Sequence, residues 1–249
     1  MVEQKIKVEI CAPSVQSAIH ADMAGADRIE LCQNLLEGGT TPSFGAIQYC
    51  VEHLLLKTNV LIRPRTGDFC YNDAEFETIK NDVQQCKELG VHGVVVGFLH
   101  QDLTIDIEKT KEIVQLASPM EVTFHRAFDI CADWRKALEQ IIEAGCSRIL
   151  TSGTYPTAFE GISVLKEMVN RAGDRITILA GSGVNHSNAQ EIVSKCGVKE
   201  IHSSCTLPVS TKKPHFTDEK YLDSSNYVHK ESNLDLIKKL LSLQIDINP

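Results

Sequence analysis

The sequence predicts an α/β fold, a single eightfold β/α (TIM) barrel of parallel strands formed as one domain over residues 1–249. Three observations carry that expectation. Eight short β-type runs, near 6–11, 27–32, 59–63, 92–98, 120–125, 147–151, 175–180 and 199–203, alternate with helical patterns. Four junctions, Gly25-Ala26-Asp27, Gly90-Val91-His92, Gly145-Cys146-Ser147 and Gly197-Val198-Lys199, each end a helix and lead into a strand. They lie 65, 55 and 52 residues apart, about two βα units each, before the second, fourth, sixth and eighth strands. Two apolar runs also turn without a spacer into Arg, His and Asp: Ile62-Arg63-Pro64-Arg65-Thr66-Gly67-Asp68-Phe69 and Thr123-Phe124-His125-Arg126-Ala127-Phe128-Asp129. Unpaired charges are costly to bury, so they belong at a strand's open end, where the loops of such folds build the binding site. An open doubly wound sheet is the competing fold; no G-x-G-x-x-G follows the first strand to support it.

In chain order, the first two strands share a pattern, Glu9-Ile10-Cys11 and Glu30-Leu31-Cys32. Side chains alternate faces along a strand, so each Glu shares a face with its Cys. If the strands pair in register, about 4.8 Å apart, Cys11 and Cys32 become neighbours at the mouth with both Glu residues a layer below. The third strand exits through Arg63, Pro64 and Arg65. A helix then covers 73–89, with Phe76, Ile79, Val83 and Cys86 at steps of three and four, an Asn72/Glu75 capping box and a stop at Gly90. The fifth strand ends at His125, after Glu121 and Thr123 on the same face, and a helix from Asp133 to Ala144 aligns Trp134, Ala137, Leu138, Ile141 and Ile142. Strands six, seven and eight lead into Thr151-Ser152-Gly153, Ala180-Gly181-Ser182-Gly183-Val184 and His202-Ser203-Ser204. Residues 206–230, with Pro208, Lys212, Lys213 and Pro214, read as a long loop before a last amphipathic helix, 233–243.

Composition narrows the function classes. A net charge of −8 without a dense Lys/Arg block argues against a general nucleic-acid binder. No apolar run approaches the length of a membrane span, and residues 1–12 lack the apolar core of a signal peptide. Nine scattered cysteines without a C-x-x-C pair suit free thiols in a reduced, cytoplasmic setting better than a disulfide scaffold.

Candidate chemistry clusters at the strand ends. Two thiolates, Cys11 and Cys32, are soft ligands suited to Cu(I), although cysteine is also a common buried apolar filler. Arg63 and Arg65 share a face, and two planar forks at a mouth suit a phosphate or carboxylate; an Arg–Asp brace with Asp68 is the alternative. His125 can act as general base or ligand, with Glu30 and Asp68 as further proton carriers. Gly181, Ser182 and Gly183, with Ser203, occupy the loops after strands seven and eight, where this fold often binds anions through backbone N–H groups.

Taken together, several segments resemble the CutC family of copper homeostasis proteins: 27–32, 37–43, 62–69, 123–129, 148–153 and 181–184, collinear over roughly 6–205. The resemblance implies a cytoplasmic β/α barrel, a homo-oligomer (dimer or tetramer), linked to copper handling, with the nucleus as a second compartment. It matches Cys11 and Cys32 to the two cysteines proposed as copper ligands in animal members. Cys205 departs from the small residue usual there, and 206–230 is idiosyncratic. The expected function is Cu(I) binding at the barrel mouth. The alternative is an enzyme acting on a small anionic metabolite through the Arg, His and Asp residues, since Cu(I) requires no Arg pair.

Overall fold

The computed structural model describes residues 6–210 and 228–243. Eight parallel strands close in sequence order into a barrel: β1 (Lys7–Ala12), β2 (Arg28–Leu31), β3 (Lys57–Leu61), β4 (Gly93–Val96), β5 (Glu121–Phe124), β6 (Arg148–Thr151), β7 (Thr177–Ala180) and β8 (Glu200–Ser203). The helices between them are α1 (Val15–Ala24), α2 (Phe44–His53), α3 (Asp73–Leu89), α4 (Ile107–Ala117), α5 (Trp134–Ala144), α6 (Ile162–Ala172) and α7 (Ala189–Cys196); α8 (Leu234–Leu241) follows β8 and packs against α1. Each of the eight β-runs read from the sequence therefore forms a barrel strand.

The glycine junctions explain the regular pairing of units. Gly25, Gly90, Gly145 and Gly197 sit at φ of 80°, 77°, 88° and 75°, each donating its N–H to carbonyls of the helix it ends. A side chain at Cβ would be strained in that left-handed conformation, so glycine turns the chain back toward the next strand at little cost. At the other end of α3, Asn72 and Glu75 form the reciprocal capping box.

Strand parity divides the core in two. Residues facing the helices, including Ile10, Ile29, Val60, Val94, Phe124, Ile149, Ile178 and Ile201, are buried and apolar and belong to one large core. The parity facing the barrel axis is mixed: Glu9, Arg28, Glu30, Asn59, Thr123, Arg148, Glu200 and His202 are all buried there, beside a small apolar group of Cys11, Cys32, Leu61 and Val95. Periodicity alone would have read these strands as ordinary two-faced strands; closure is what encloses the second face.

Two sequence expectations change. The first two strands are offset: Glu9 lies opposite Arg28, and Cys11 opposite Glu30 rather than Cys32. Barrel closure requires such stagger between tilted strands, and a pairing drawn on a flat sheet omits it. The segment expected as one loop also begins and ends in structure. β9 (Thr206–Ser210) pairs antiparallel with β10 (Val228–Ser232). Lys212, Lys213 and Pro214 lie outside the described residues. β10 is tied to the barrel: the Ser232 hydroxyl donates to the Cys11 carbonyl at 3.1 Å, and the Ser232 N–H to the Ser17 hydroxyl at 3.0 Å.

Candidate metal centre

Despite the stagger, Cys11 and Cys32 meet. Cys32 stands one residue past the end of β2, its N–H bonded to the Ala12 carbonyl, and its Sγ lies 3.7 Å from the Cys11 Sγ. That is far beyond the 2.05 Å of a disulfide, and both are free thiols. Cys11 and Cys32 are only 4% and 1% exposed, enclosed by Leu61 and Val95, with Leu35 packed against them. The hydrogen bond with Cys32, then burial, push the Cys11 thiol well above its ordinary range. Gly39 lines this pocket at φ 90°, where a Cβ would stand 2.7 Å from the Leu61 side chain.

Glu30, His202 and Glu9 lie alongside. His202 Nδ1 is 2.8 Å from one Glu9 carboxylate oxygen, and its Nε2 is 3.4 Å from Glu30. Arg28 donates to Glu9 and to Glu200, and Arg148 donates from its Nε to Glu200 at 2.9 Å. Buried charges persist only when paired, and each member of this chain has an opposite partner. Burial raises the Glu9 carboxyl, but the hydrogen bond with His202 and the charge of Arg28 overcome it, holding Glu9 down at about 2. Burial also raises Glu30; His202 opposes it and Glu9 reinforces it, leaving Glu30 at about 7. His202 is raised: burial acts against its charge, but Glu9 and Glu30 prevail.

A second group sits at the ends of β3 and β5. The Arg63 guanidinium donates to the carbonyls of Glu37, Gly39 and Gly67 at 3.1, 2.8 and 2.8 Å and lies 5.0 Å from the Phe69 ring centre. His125 packs against the same ring, at 4.8 Å between centroids. Its Nδ1 accepts the Ala127 N–H at 3.1 Å, while Nε2 is buried with no hydrogen-bond partner among the described residues, as is Arg63 Nε. Burial, and then the charge of Arg63, lower His125 to about 3, so the ring is neutral. Gly97 makes room for it: a Cβ there would be 2.4 Å from the imidazole.

The remaining candidates make hydrogen bonds or close contacts within the chain. Arg65 donates to Glu75 and to Asp68, the latter at 2.9 Å, bracing the loop to the start of α3. Asp68 is lowered first by its hydrogen bond with Arg65. At Gly181 a Cβ would approach Leu150 to 2.5 Å and His202 to 3.3 Å, so tight packing of three strands accounts for this glycine. Ser182, at φ 76°, donates to the Pro156 carbonyl at 2.8 Å; Gly183 follows at φ 72°. Ser203 donates to the Val184 carbonyl, and the Thr151 and Ser152 hydroxyls to Asp129. Arg28, Arg148 and Glu200 were not anticipated. The signal was available in Arg28-Ile29-Glu30-Leu31-Cys32, where two charged residues, Arg28 and Glu30, share one face of a short strand.

Comparison with known proteins decides the family. Residues 6–207 match the CutC family model. The chain belongs to the CutC family. It is 46% identical to the family protein CutC of Parabacteroides distasonis over 88% of this chain and 90% of that one. The family protein CutC of Pectobacterium atrosepticum is 47% identical over 80% and 78% of the two chains. Among solved structures, the protein described as copper homeostasis protein CutC from Streptococcus agalactiae superposes with a TM-score of 0.76 at 34% identity, covering 80% of this chain and 98% of that one. The chain is thus a CutC family member with a closed β/α barrel. Among the described residues no helix is long and apolar enough to cross a membrane.

Proposed function

We propose that this CutC family member takes Cu(I) as cargo between Cys11 and Cys32, at the C-terminal mouth of its barrel, and works in the cytoplasm and nucleus as a homo-oligomer. The observation that carries the reading is the 3.7 Å between the two sulfurs inside an apolar enclosure. Thiolates are the donors a soft ion prefers, and these two sulfurs converge from adjacent strands, so a modest side-chain movement lets one Cu(I) bridge them. Leu61, Val95 and Leu35 exclude water and offer no hard oxygen donor on that side. The raised Cys11 thiol must lose its proton to bind, so affinity falls as pH falls.

Ligation should appear as stability. Cu(I) at 100 times its Kd adds about 2.7 kcal/mol. For a domain of this size that is roughly 5–10 °C in Tm. Scanning the reduced protein with and without buffered Cu(I) should show that shift in wild type and none in the Cys11→Ser/Cys32→Ser variant. An undiminished shift in the double variant would move the copper to other cysteines.

The enzyme reading has one observation in its favour: His125 and Arg63, both packed against Phe69, each carry a buried nitrogen, Nε2 and Nε, without a partner among the described residues. Its anion cradle is less well supported. Arg63 already holds three carbonyls, and Arg65 holds Glu75 and Asp68, so an incoming phosphate or carboxylate would have to displace them.

A further inference from the structure

Beside the two thiols lies a donor set that Cu(I) does not need. The Cys11 Sγ, a Glu30 carboxylate oxygen and a His202 ring nitrogen all lie within 4.8 Å of one another, and all three residues are buried. They come from adjacent strands β8, β1 and β2, with Cys11 opposite Glu30 and Glu9 opposite His202. The set is thiolate, carboxylate and imidazole, a borderline mixture that suits a divalent ion of the zinc type better than Cu(I).

Two further observations point to a ligand. Glu9 engages His202 Nδ1 at 2.8 Å, and Arg28 holds Glu9 from behind. A carboxylate on one ring nitrogen is how metal-binding histidines are usually oriented, because it fixes the proton on that nitrogen and leaves the other free to ligate. That other nitrogen, Nε2, faces Glu30 at 3.4 Å. With the site empty a proton between His202 and Glu30 satisfies this contact, and a divalent cation can take that proton's place. An ion bonded at about 2.1 Å to each, at a tetrahedral angle, holds N and O about 3.4 Å apart. Charge also balances: a divalent cation with Cys11 and Glu30 as anions is neutral, and Glu9 is offset by Arg28.

We infer that Cys11, Glu30 and His202 form a divalent-cation site of the zinc class, with Glu9 as the group that positions His202. Cys32 is outside this set. Cys11 belongs to both sites, so a divalent ion and Cu(I) compete for one sulfur, and occupancy of either excludes the other. The site stands on its own donors and does not depend on copper binding at Cys32.

Co2+ is the probe, because a cobalt–thiolate bond gives a charge-transfer band and tetrahedral cobalt gives intense visible absorption. The reduced, metal-free full-length protein should bind one Co2+ with both features. Zn2+ should displace it, and stoichiometric Cu(I) should bleach it. Cys32→Ser should keep the cobalt spectrum while weakening Cu(I). Glu30→Gln and His202→Gln should each weaken Co2+ at least tenfold, and Glu9→Gln by about 10–100-fold, as for other groups that orient a ligand. The inference is overturned if wild type shows no thiolate–cobalt band. It is equally overturned if Cys32→Ser abolishes the band while His202→Gln keeps it, or if Co2+ and Cu(I) bind together. The Cys32→Ser arm keeps the result decisive should the buried-charge variants fail to fold.

Discussion

At His125 the structure gives a residue two constraints at once. Its Nδ1 caps the short 3-10 turn Arg126–Ile130, and its ring is wedged between Gly97 and Phe69, so it is fixed in place and kept neutral. The sequence placed a histidine at a strand end in the company of Arg126 and Asp129, but nothing in it showed that Asp129 bonds instead to Arg126, Thr151 and Ser152. Burial and the Arg63 charge lower His125 to about 3, against about 6.5 when unfolded. The unfolded chain therefore binds the proton first, and stability from this group is complete above pH 6.5 and is lost as pH falls from there toward 3. Each pH unit inside that window changes stability by at most about 1.4 kcal/mol. His125→Asn keeps an acceptor for the Ala127 N–H and does not titrate. Urea unfolding at pH 7 and pH 5 should show the variant losing about 2 kcal/mol less than wild type between the two. Equal losses would mean that His125 is not the group held neutral.

At the level of the elements, the strands and their alternation with helices were legible, because glycine C-caps, the Asn72 capping box and apolar periodicity are local signals. What lay beyond reach was register and closure. The repeated Glu-x-Cys of β1 and β2 suggested two neighbouring thiols, and they are neighbours, but through a diagonal contact across staggered strands rather than direct pairing. Closure sets β8 beside β1 and so brings Glu200 and His202 to partners 172 and 193 residues distant in sequence. Arg28 illustrates the consequence, linking Glu9 on β1 to Glu200 on β8 from its place on β2. Removing one member of a buried charge network leaves its partners uncompensated, at a cost of about 3–5 kcal/mol. Arg28→Met fills similar volume without charge and should lower stability by that amount in chemical denaturation. A loss under 1 kcal/mol would show that Glu9 and Glu200 find other partners.

Across the whole molecule, the barrel separates two kinds of interior. Between strands and helices the core is apolar and specifies the fold; along the axis a chain of paired charges rises from Glu121 and Arg148 through Glu200, Arg28 and Glu9 to His202 and Glu30, and meets the two thiols near the mouth. Family membership rests on the match over 6–207, and within that span Cys11 and Cys32 set two sulfurs 3.7 Å apart. The loops bearing Arg63 and Arg65 are by contrast held by the chain's own carbonyls and carboxylates. The most direct test of copper binding by the thiol pair is X-ray absorption at the copper edge on protein loaded with one equivalent of Cu(I). Two sulfur scatterers in the first shell are expected for wild type, falling to one in Cys32→Ser; a first shell of nitrogen and oxygen alone, or a sulfur shell unchanged in Cys32→Ser, would contradict it.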